Sequence, residues 1–459
     1  MEDFLTGKKR VHFIGVGGSG MYPLARVLRE QGFTVTGSDV NETDTLAAAG
    51  KAGIKVFVGH SPENVDGADL IVYSSAISAD NPEILAAGKD VALHDRAELL
   101  GLFTSRHSRS VCVAGTHGKT TAVSMLVHIL LAAGVDVSAF VGGKLKALDG
   151  GARMGKSGIM VCEACEFKGN FLKLSSDITV ILNIDEDHMD YFKTADNLRG
   201  AFSEFCKKTS ETLIINGDDE NTRISVNDSG FKGAVITFGN SDKNDYYPMN
   251  VKKLSDFESS FELFKNGKFI DEMVIGVPGG HNVTNAVAAC AAGICLKADN
   301  NALKKGLSGF RGVGRRFERL AVIGGVTVAD DYAHHPAEIT ATLKTAKSMN
   351  FKRVWAVHQP FTYSRTAALL DGFAESLSIA DRVTLTEIMG GREKNVYNIR
   401  AADLSEKIDG CDWFASFGEV ADFVASGAKE GDLIITMGCG DVNKVAAMIA
   451  ERLKRRDPV

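Results

Sequence analysis

The chain has 459 residues, 52 Lys plus Arg against 58 Asp plus Glu, and a formal net charge of -6. Its length exceeds what one hydrophobic core usually organises, so two or three domains are expected. The basic residues are spread rather than clustered and no apolar run reaches about 18 residues, which argues against nucleic acid and membrane insertion and for a cytoplasmic protein handling small ligands.

In chain order, "RVHFIGV" (10–16) predicts a buried strand, "MYPLARVLREQG" (21–32) a helix stopped by glycine, and "FTVTGSD" (33–39) a second strand, together one βαβ unit. The connection Gly15-Val16-Gly17-Gly18-Ser19-Gly20 is a G-x-G-x-x-G loop, and Asp39 ends the next strand about 20 residues on. Such a loop seats a diphosphate on a helix N-terminus. The diphosphate can be that of NAD, as in an oxidoreductase, or that of a nucleotide sugar. The beat continues through "GIKVFVG", "ADLIVYSSAI" and "PEILAAG" until the basic "TSRHSRS" (104–110), where a first domain boundary is expected.

"SVCVAGTHGKTTAVSMLVHILLAAG" (110–134) opens a new strand, loop and helix. Gly115, Thr116, His117, Gly118, Lys119, Thr120 and Thr121 form a P-loop shorter than the usual pattern, since Val113 stands where a glycine would. Backbone N–H groups there can surround a polyphosphate, Lys119 adds a mobile charge, and the Thr120 hydroxyl suits Mg2+. "GIMVCEA" reads as a strand parallel to "SVCVAG", which would bring Glu163 to the same sheet edge as a further Mg2+ ligand. "ITVILNIDEDHMDYF" (178–192) is an apolar strand ending in Asn183, Asp185, Asp187, His188 and Asp190, groups suited to metal or phosphate.

Cys162-x-x-Cys165 lacks a second Cys pair or a His at zinc-finger spacing, and Cys162 lies in an apolar run, so packing is expected there. Alternating patterns in residues 211–285 predict hairpins in a mixed central domain. "GGHNVTNAVAA" (279–289) places His281, Asn282 and Asn285 at the start of an Ala-rich helix, as caps or as nucleotide contacts. "ADDYAHHPAEI" (329–339) ends a strand in Asp331 and starts a helix at Pro336, with His335 available for proton transfer or binding. Beyond "FRGVGRRFE" (310–318), the runs "RVWAVHQ", "DRVTLTE", "DWFASF" and "DLIITMG" predict a third α/β domain.

"HFIGVGGSGM", "SSAI", "AGTHGKTT", "EACE", "NIDEDHMD", "GGHNVTNA", "RRFE", "DDYAHHP", "HQPFTYSRT" and "MGCGD" occur in this order along nearly the whole chain. Together they resemble the Mur ligases of peptidoglycan synthesis, in particular the branch that adds L-alanine to UDP-N-acetylmuramate. A sister branch attaches a recycled tripeptide, but "GVGGSGM" and "SSAI" look more like the alanine branch. The resemblance implies an α/β chain of three domains: a Rossmann-like UDP-sugar domain (1–107), a P-loop ATPase domain with a mixed sheet (108–314), and a Rossmann-like amino-acid domain (315–459). It also implies an acyl phosphate and a tetrahedral intermediate, ATP with Mg2+ or Mn2+, and action as a monomer or homodimer.

Residue by residue, the resemblance gives the UDP-sugar to Gly17, Gly18, Ser19, Gly20, Met21, Asp39, Ser74 and Ser75. Metal falls to Thr120, Glu163 and His188. ATP falls to the P-loop with His281, Asn282, Asn285, Arg316 and Asp331. His335 and Arg365 serve catalysis with Lys119. Many relatives have Asp, Ser and Asp where this chain has Cys165, Phe167 and Lys168, and some have a second arginine near Arg365.

Overall fold

Short apolar strands alternating with helices build three separate sheets in the computed structural model, which describes residues 3–88, 91–391 and 393–456, and of Asp190 the backbone only. The first sheet holds β1 (Arg10–Ile14), β2 (Thr34–Asp39), β3 (Lys55–Val58), β4 (Leu70–Tyr73) and β5 (Ala92–Asp95), all parallel, in the order β3-β2-β1-β4-β5. Strand order reverses between β1 and β4, the place where open parallel sheets leave a ligand crevice. The glycine loop leaves β1, and Ser74 and Ser75 leave β4, at that point. Nearby, the fully buried Glu83 accepts from Ser38 Oγ and Asn64 Nδ2, each at 2.6 Å, and faces His12 Nε2 at 3.5 Å. Burial alone would raise its pKa, but the His12 ring beside it and the hydrogen bonds from Ser38 and Asn64 win and hold the carboxyl at about 2.

The second sheet comprises β6 (Arg109–Ala114), β7 (Ser138–Leu145), β8 (Gly150–Arg153), β9 (Ile159–Glu163), β10 (Ser176–Ile181), β11 (Thr209–Asn216), β12 (Ala234–Phe238), β13 (Tyr246–Ser255), β14 (Glu258–Lys265) and β15 (Lys268–Ile275). Their order is β15-β14-β13-β12-β11-β10-β6-β9-β7-β8, with parallel pairing from β12 across to β7. β14 and β15 form the expected antiparallel hairpin, turning at Asn266 and Gly267 with φ of 48° and 77°, the pair of positive angles a tight hairpin demands. Cys112 and Cys162 face each other in register with their sulfurs 3.6 Å apart and no exposure, so both thiols are core packing.

The third sheet contains β16 (Glu318–Ile323), β17 (Val326–Asp331), β18 (Arg353–His358), β19 (Arg382–Thr386), β20 (Asp412–Phe414) and β21 (Asp432–Met437), ordered β16-β17-β21-β18-β19-β20. It is parallel except for β16, whose antiparallel pairing with β17 through Gly324 and Gly325 the sequence reading did not anticipate.

The chain divides into two compact units. One is Met1–Lys253 with Ser259–Gly276 and Gly280–Arg311; the other is Gly312–Val459 with Leu254–Glu258 and Val277–Gly279. The first sheet and all of the second but the adjoining ends of β13 and β14 therefore fall in one unit. Among the described residues no helix is long and apolar enough to cross a membrane.

Candidate active site

β6, β9 and β10 are adjacent and parallel, with Val113 beside Glu163 and Ala114 beside Ile181. The P-loop, Glu163 and the segment from Asn183 to His188 consequently leave the sheet at one edge. The helix Lys119–Ala132 opens at Gly118, whose φ is 85°. A Cβ at Gly118 would lie 2.6 Å from Asn285 Oδ1, so both backbone and space demand glycine there. That proximity places Asn285, 5 % exposed, and its partner Asn282 against the phosphate turn, while His281 is exposed.

The loop is tied to the exit of β10. Thr116 N donates to Asn183 O (3.0 Å), His117 N to Asn183 Oδ1 (2.8 Å), and Asp185 N to Thr116 Oγ1 (2.9 Å). Lys119 Nζ folds back to donate to Thr116 O at 3.0 Å and to Gly115 O, and it pairs with Glu166 Oε2 at 3.0 Å. Burial alone would lower the lysine pKa, but the Glu166 charge outweighs it and the pKa is raised, so Lys119 is a cation at neutral pH.

Glu163 Oε1 accepts from Gly142 N at 2.6 Å, and a Cβ at position 142 would lie 2.6 Å from Glu163 Oε2. Only glycine lets the β7 backbone approach and orient this carboxylate. His188 has φ of 56°; its ring packs on Phe167 at 4.8 Å between centroids, and Nε2 lies 4.0 Å from Glu166 Oε1. Among the described residues no three His, Cys, Asp or Glu side chains form a ready metal cluster. The Thr120 hydroxyl, the Glu163 carboxylate and the His188 imidazole at one edge fit a hard cation that is shared with phosphate oxygens rather than caged by protein.

In the glycine loop, Gly15 N and Val16 N donate to Ser38 O at 2.8 and 3.0 Å. The two oxygens of Asp39 accept from Gly17 N (3.0 Å) and Asn41 N (3.2 Å), so this carboxylate shapes the loop. Met21 is 1 % exposed and packs in the core, whereas Ser19 is exposed. Ser74 lies against Gly15, and Ser75 O accepts from Lys168 Nζ at 2.9 Å. The Arg96 guanidinium lies against Gly20.

In the second unit, Asp331 accepts from Phe317 N (2.6 Å) and Ala333 N (2.8 Å), and burial raises its pKa. Arg315 and Arg316 stack over Tyr332 at 5.0 and 5.1 Å. His335 caps the helix Pro336–Lys347, its Nδ1 accepting from Ala337 N at 3.4 Å. Arg365 sits in the helix Tyr363–Ala368, and its Nη1 is buried with no hydrogen-bond partner among the described residues. Leaving such a donor unmet costs about 1–3 kcal/mol, which a bound anion would offset.

His358, fully buried with Nδ1 at 2.9 Å from Met437 O, has its pKa pushed down by burial to about 4. As pH falls from 6.5 toward 4, the unfolded chain takes up a proton that the folded ring refuses, so stability is lost in that window. The His358 contribution should fall by about 2 kcal/mol between pH 7 and 5. Urea unfolding at both pH values should show this drop diminished in His358→Phe, and an identical drop in both proteins would remove His358 as its cause.

Three family profiles match the chain: the Mur ligase family catalytic domain at residues 10–108, the Mur ligase middle domain at 113–293, and the Mur ligase glutamate ligase domain at 315–440. The UDP-N-acetylmuramate--L-alanine ligase of Caldanaerobacter subterraneus subsp. tengcongensis is 40% identical over 99% of this chain and 100% of its own length. The chain belongs to the Mur ligase family. The ligase of the same description from Acetivibrio thermocellus is 42% identical over 96% of this chain and 95% of its own. Among solved structures, the UDP-N-acetylmuramate-alanine ligase of Thermotoga maritima superposes with a TM-score of 0.84 at 28% identity, covering 97% of this chain and 99% of that one. A murein peptide ligase from Psychrobacter arcticus, at 24% identity over 97% of this chain and 98% of that one, shares the fold with a TM-score of 0.72.

Within this Mur ligase chain, the first unit brings Lys119, Thr120, Glu163, His188, Asn282 and Asn285 to one region, and Gly17 to Gly20 with Ser74 and Ser75 to another. Sequence reading overlooked Glu166 as the partner of Lys119, Asn183 as the brace of the P-loop, and Arg96 beside Gly20. The Glu166 and Asn183 signals were present, as polar residues just past apolar strands beside the P-loop. Arg96 carried no local signal, because only the packing of its helix brings it to the glycine loop.

Proposed function

We propose that this chain is the ATP-dependent ligase that joins L-alanine to the lactyl carboxylate of UDP-N-acetylmuramate, acting in the cytoplasm in peptidoglycan precursor synthesis. The observation that carries the reading is the end-to-end likeness to ligases of that description. The domains are read as 1–107 for the sugar nucleotide, 108–314 for ATP and 315–459 for the amino acid.

In this reading the lactyl carboxylate attacks the γ-phosphorus of ATP and ADP leaves. The L-alanine amine then attacks the acyl carbon, and the tetrahedral intermediate loses a proton and expels phosphate to leave the amide. Such chemistry asks for positioning and charge neutralisation rather than a protein nucleophile. Lys119 meets charge on the transferring phosphoryl group, and the P-loop amides with the helix N-terminus hold the polyphosphate. Thr120, Glu163 and His188 would hold Mg2+, which when bound neutralises phosphate charge. His281, Asn282, Asn285, Arg316 and Asp331 serve ATP, and His335 and Arg365 serve the amino-acid end, with the unpaired Arg365 Nη1 suited to a carboxylate.

Phosphate release measured with ATP, Mg2+ and UDP-N-acetylmuramate tests the reading, with L-alanine, L-serine, glycine or the tripeptide added in turn. Release should depend on both the sugar nucleotide and the amino acid and be fastest with L-alanine. Preference for tripeptide would assign the chain to the recycling branch, and release indifferent to any acceptor would sink the ligase reading.

A further inference from the structure

Three consecutive side chains after β9 each touch a different candidate element. Glu166 pairs with Lys119 of the P-loop, Phe167 packs on His188, and Lys168 Nζ donates to Ser75 O at 2.9 Å. Lys168 and Gly169 take φ of 53° and 69°, a left-handed pair that kinks the backbone within the segment Phe167–Lys173. A lysine at positive φ is uncommon, and here it carries its ammonium from the ATP sheet to the loop after β4. Ser74, the neighbour of the accepting residue, lies against Gly15 of the diphosphate loop.

An ammonium has three donors. Ser75 O takes one, the ammonium lies over the Phe167 ring at 5.5 Å from its centroid, and the residue is otherwise exposed. The ion pairs among the described residues include none from Lys168 to a carboxylate, in contrast to Lys119 and Lys173. This exposed cation has no acidic partner among the described residues, lies two residues from the Lys119 partner, and reaches the diphosphate loop through Ser75 and its neighbour Ser74, on the side from which a sugar nucleotide seated on the glycine loop would extend its reacting end toward the P-loop. That end is a carboxylate, and it must approach a γ-phosphate that is itself anionic. A cation on the carboxylate side lowers that repulsion, and this chain has Lys168 there where many relatives have Asp, while Lys119 is engaged on the phosphate side.

We infer that Lys168 binds the lactyl carboxylate of the sugar nucleotide and selects for it, an inference that rests on the ligase reading above. UDP-N-acetylglucosamine, which lacks the lactyl group, provides the control. Calorimetry with each nucleotide sugar should show Lys168→Met weakening UDP-N-acetylmuramate binding by about tenfold, with less than twofold change for UDP-N-acetylglucosamine, and Lys168→Arg recovering most of the loss. Equal weakening of both ligands would reduce Lys168 to a prop for the serine loop, and no weakening of either would also overturn the inference. Thermal unfolding of the variant near the wild-type midpoint excludes misfolding, and Lys168→Gln supplies a second neutral variant should the methionine protein be unstable. If Lys168→Met removes the discrimination between the two sugars but the wild-type protein shows no phosphate release that depends on L-alanine or any other acceptor, the ligase reading falls and this contact stands.

Discussion

Lys119→Ala should lower kcat for phosphate release by about 100-fold or more if, as proposed, the residue meets charge that develops during phosphoryl transfer. The structure adds a complication. Glu166 is 2 % exposed and Lys119 is its close ion-pair partner, so alanine strands a buried carboxylate. Breaking one side of a buried pair costs about 3–5 kcal/mol, and a fall in thermal midpoint is expected beside the loss of rate. The double variant Lys119→Ala/Glu166→Gln removes the stranded charge. It should regain much of the midpoint but none of the turnover. Recovery of turnover in the double variant would mean that Lys119 supports the fold and not the chemistry.

Glu163→Ala is expected to raise the Mg2+ concentration needed for half-maximal turnover by about 10- to 100-fold and to lower the maximal rate. Its carboxylate projects from the strand beside the P-loop and is oriented by the Gly142 N–H at 2.6 Å. Cys165→Ser, two residues on, should keep most activity. Burial raises the Cys165 pKa, so the thiol stays protonated and is a poor nucleophile or metal ligand. A magnesium titration of the two variants separates the readings, since equal damage from both would assign chemistry to the thiol.

Much of the fold was legible locally. Apolar runs located β1, β2, β6, β9, β10 and, in the third sheet, β18 to β21, and the spacing of Gly115, Gly118 and Lys119 carried the phosphate loop, because strand, turn and helix N-terminus are dictated by residues within a few positions of one another. β16 was missed although Gly324 and Gly325 are a hairpin signal and "ERLAVI" ends in four apolar residues; the run is short, and its side chains are mostly solvent-facing at a sheet edge.

What the amino-acid order determined by itself was chemistry of short range: the two glycine loops, Lys119 and Thr120 at a helix start, and the end-of-strand Glu163 and His188. Only the tertiary structure decided which groups face which. The parallel register of β6, β9 and β10 brings residues more than 40 positions apart to one edge, turns Glu166 onto Lys119 and assigns Asn183 to the P-loop backbone. It also sets Asp39 against the Gly17 amide and carries Lys168 to Ser75. Ion pairs and hydrogen bonds form across space at about 3 Å, and sequence separation does not enter their energy. A sequence can therefore name the charges while the packing of sheets and turns chooses their partners.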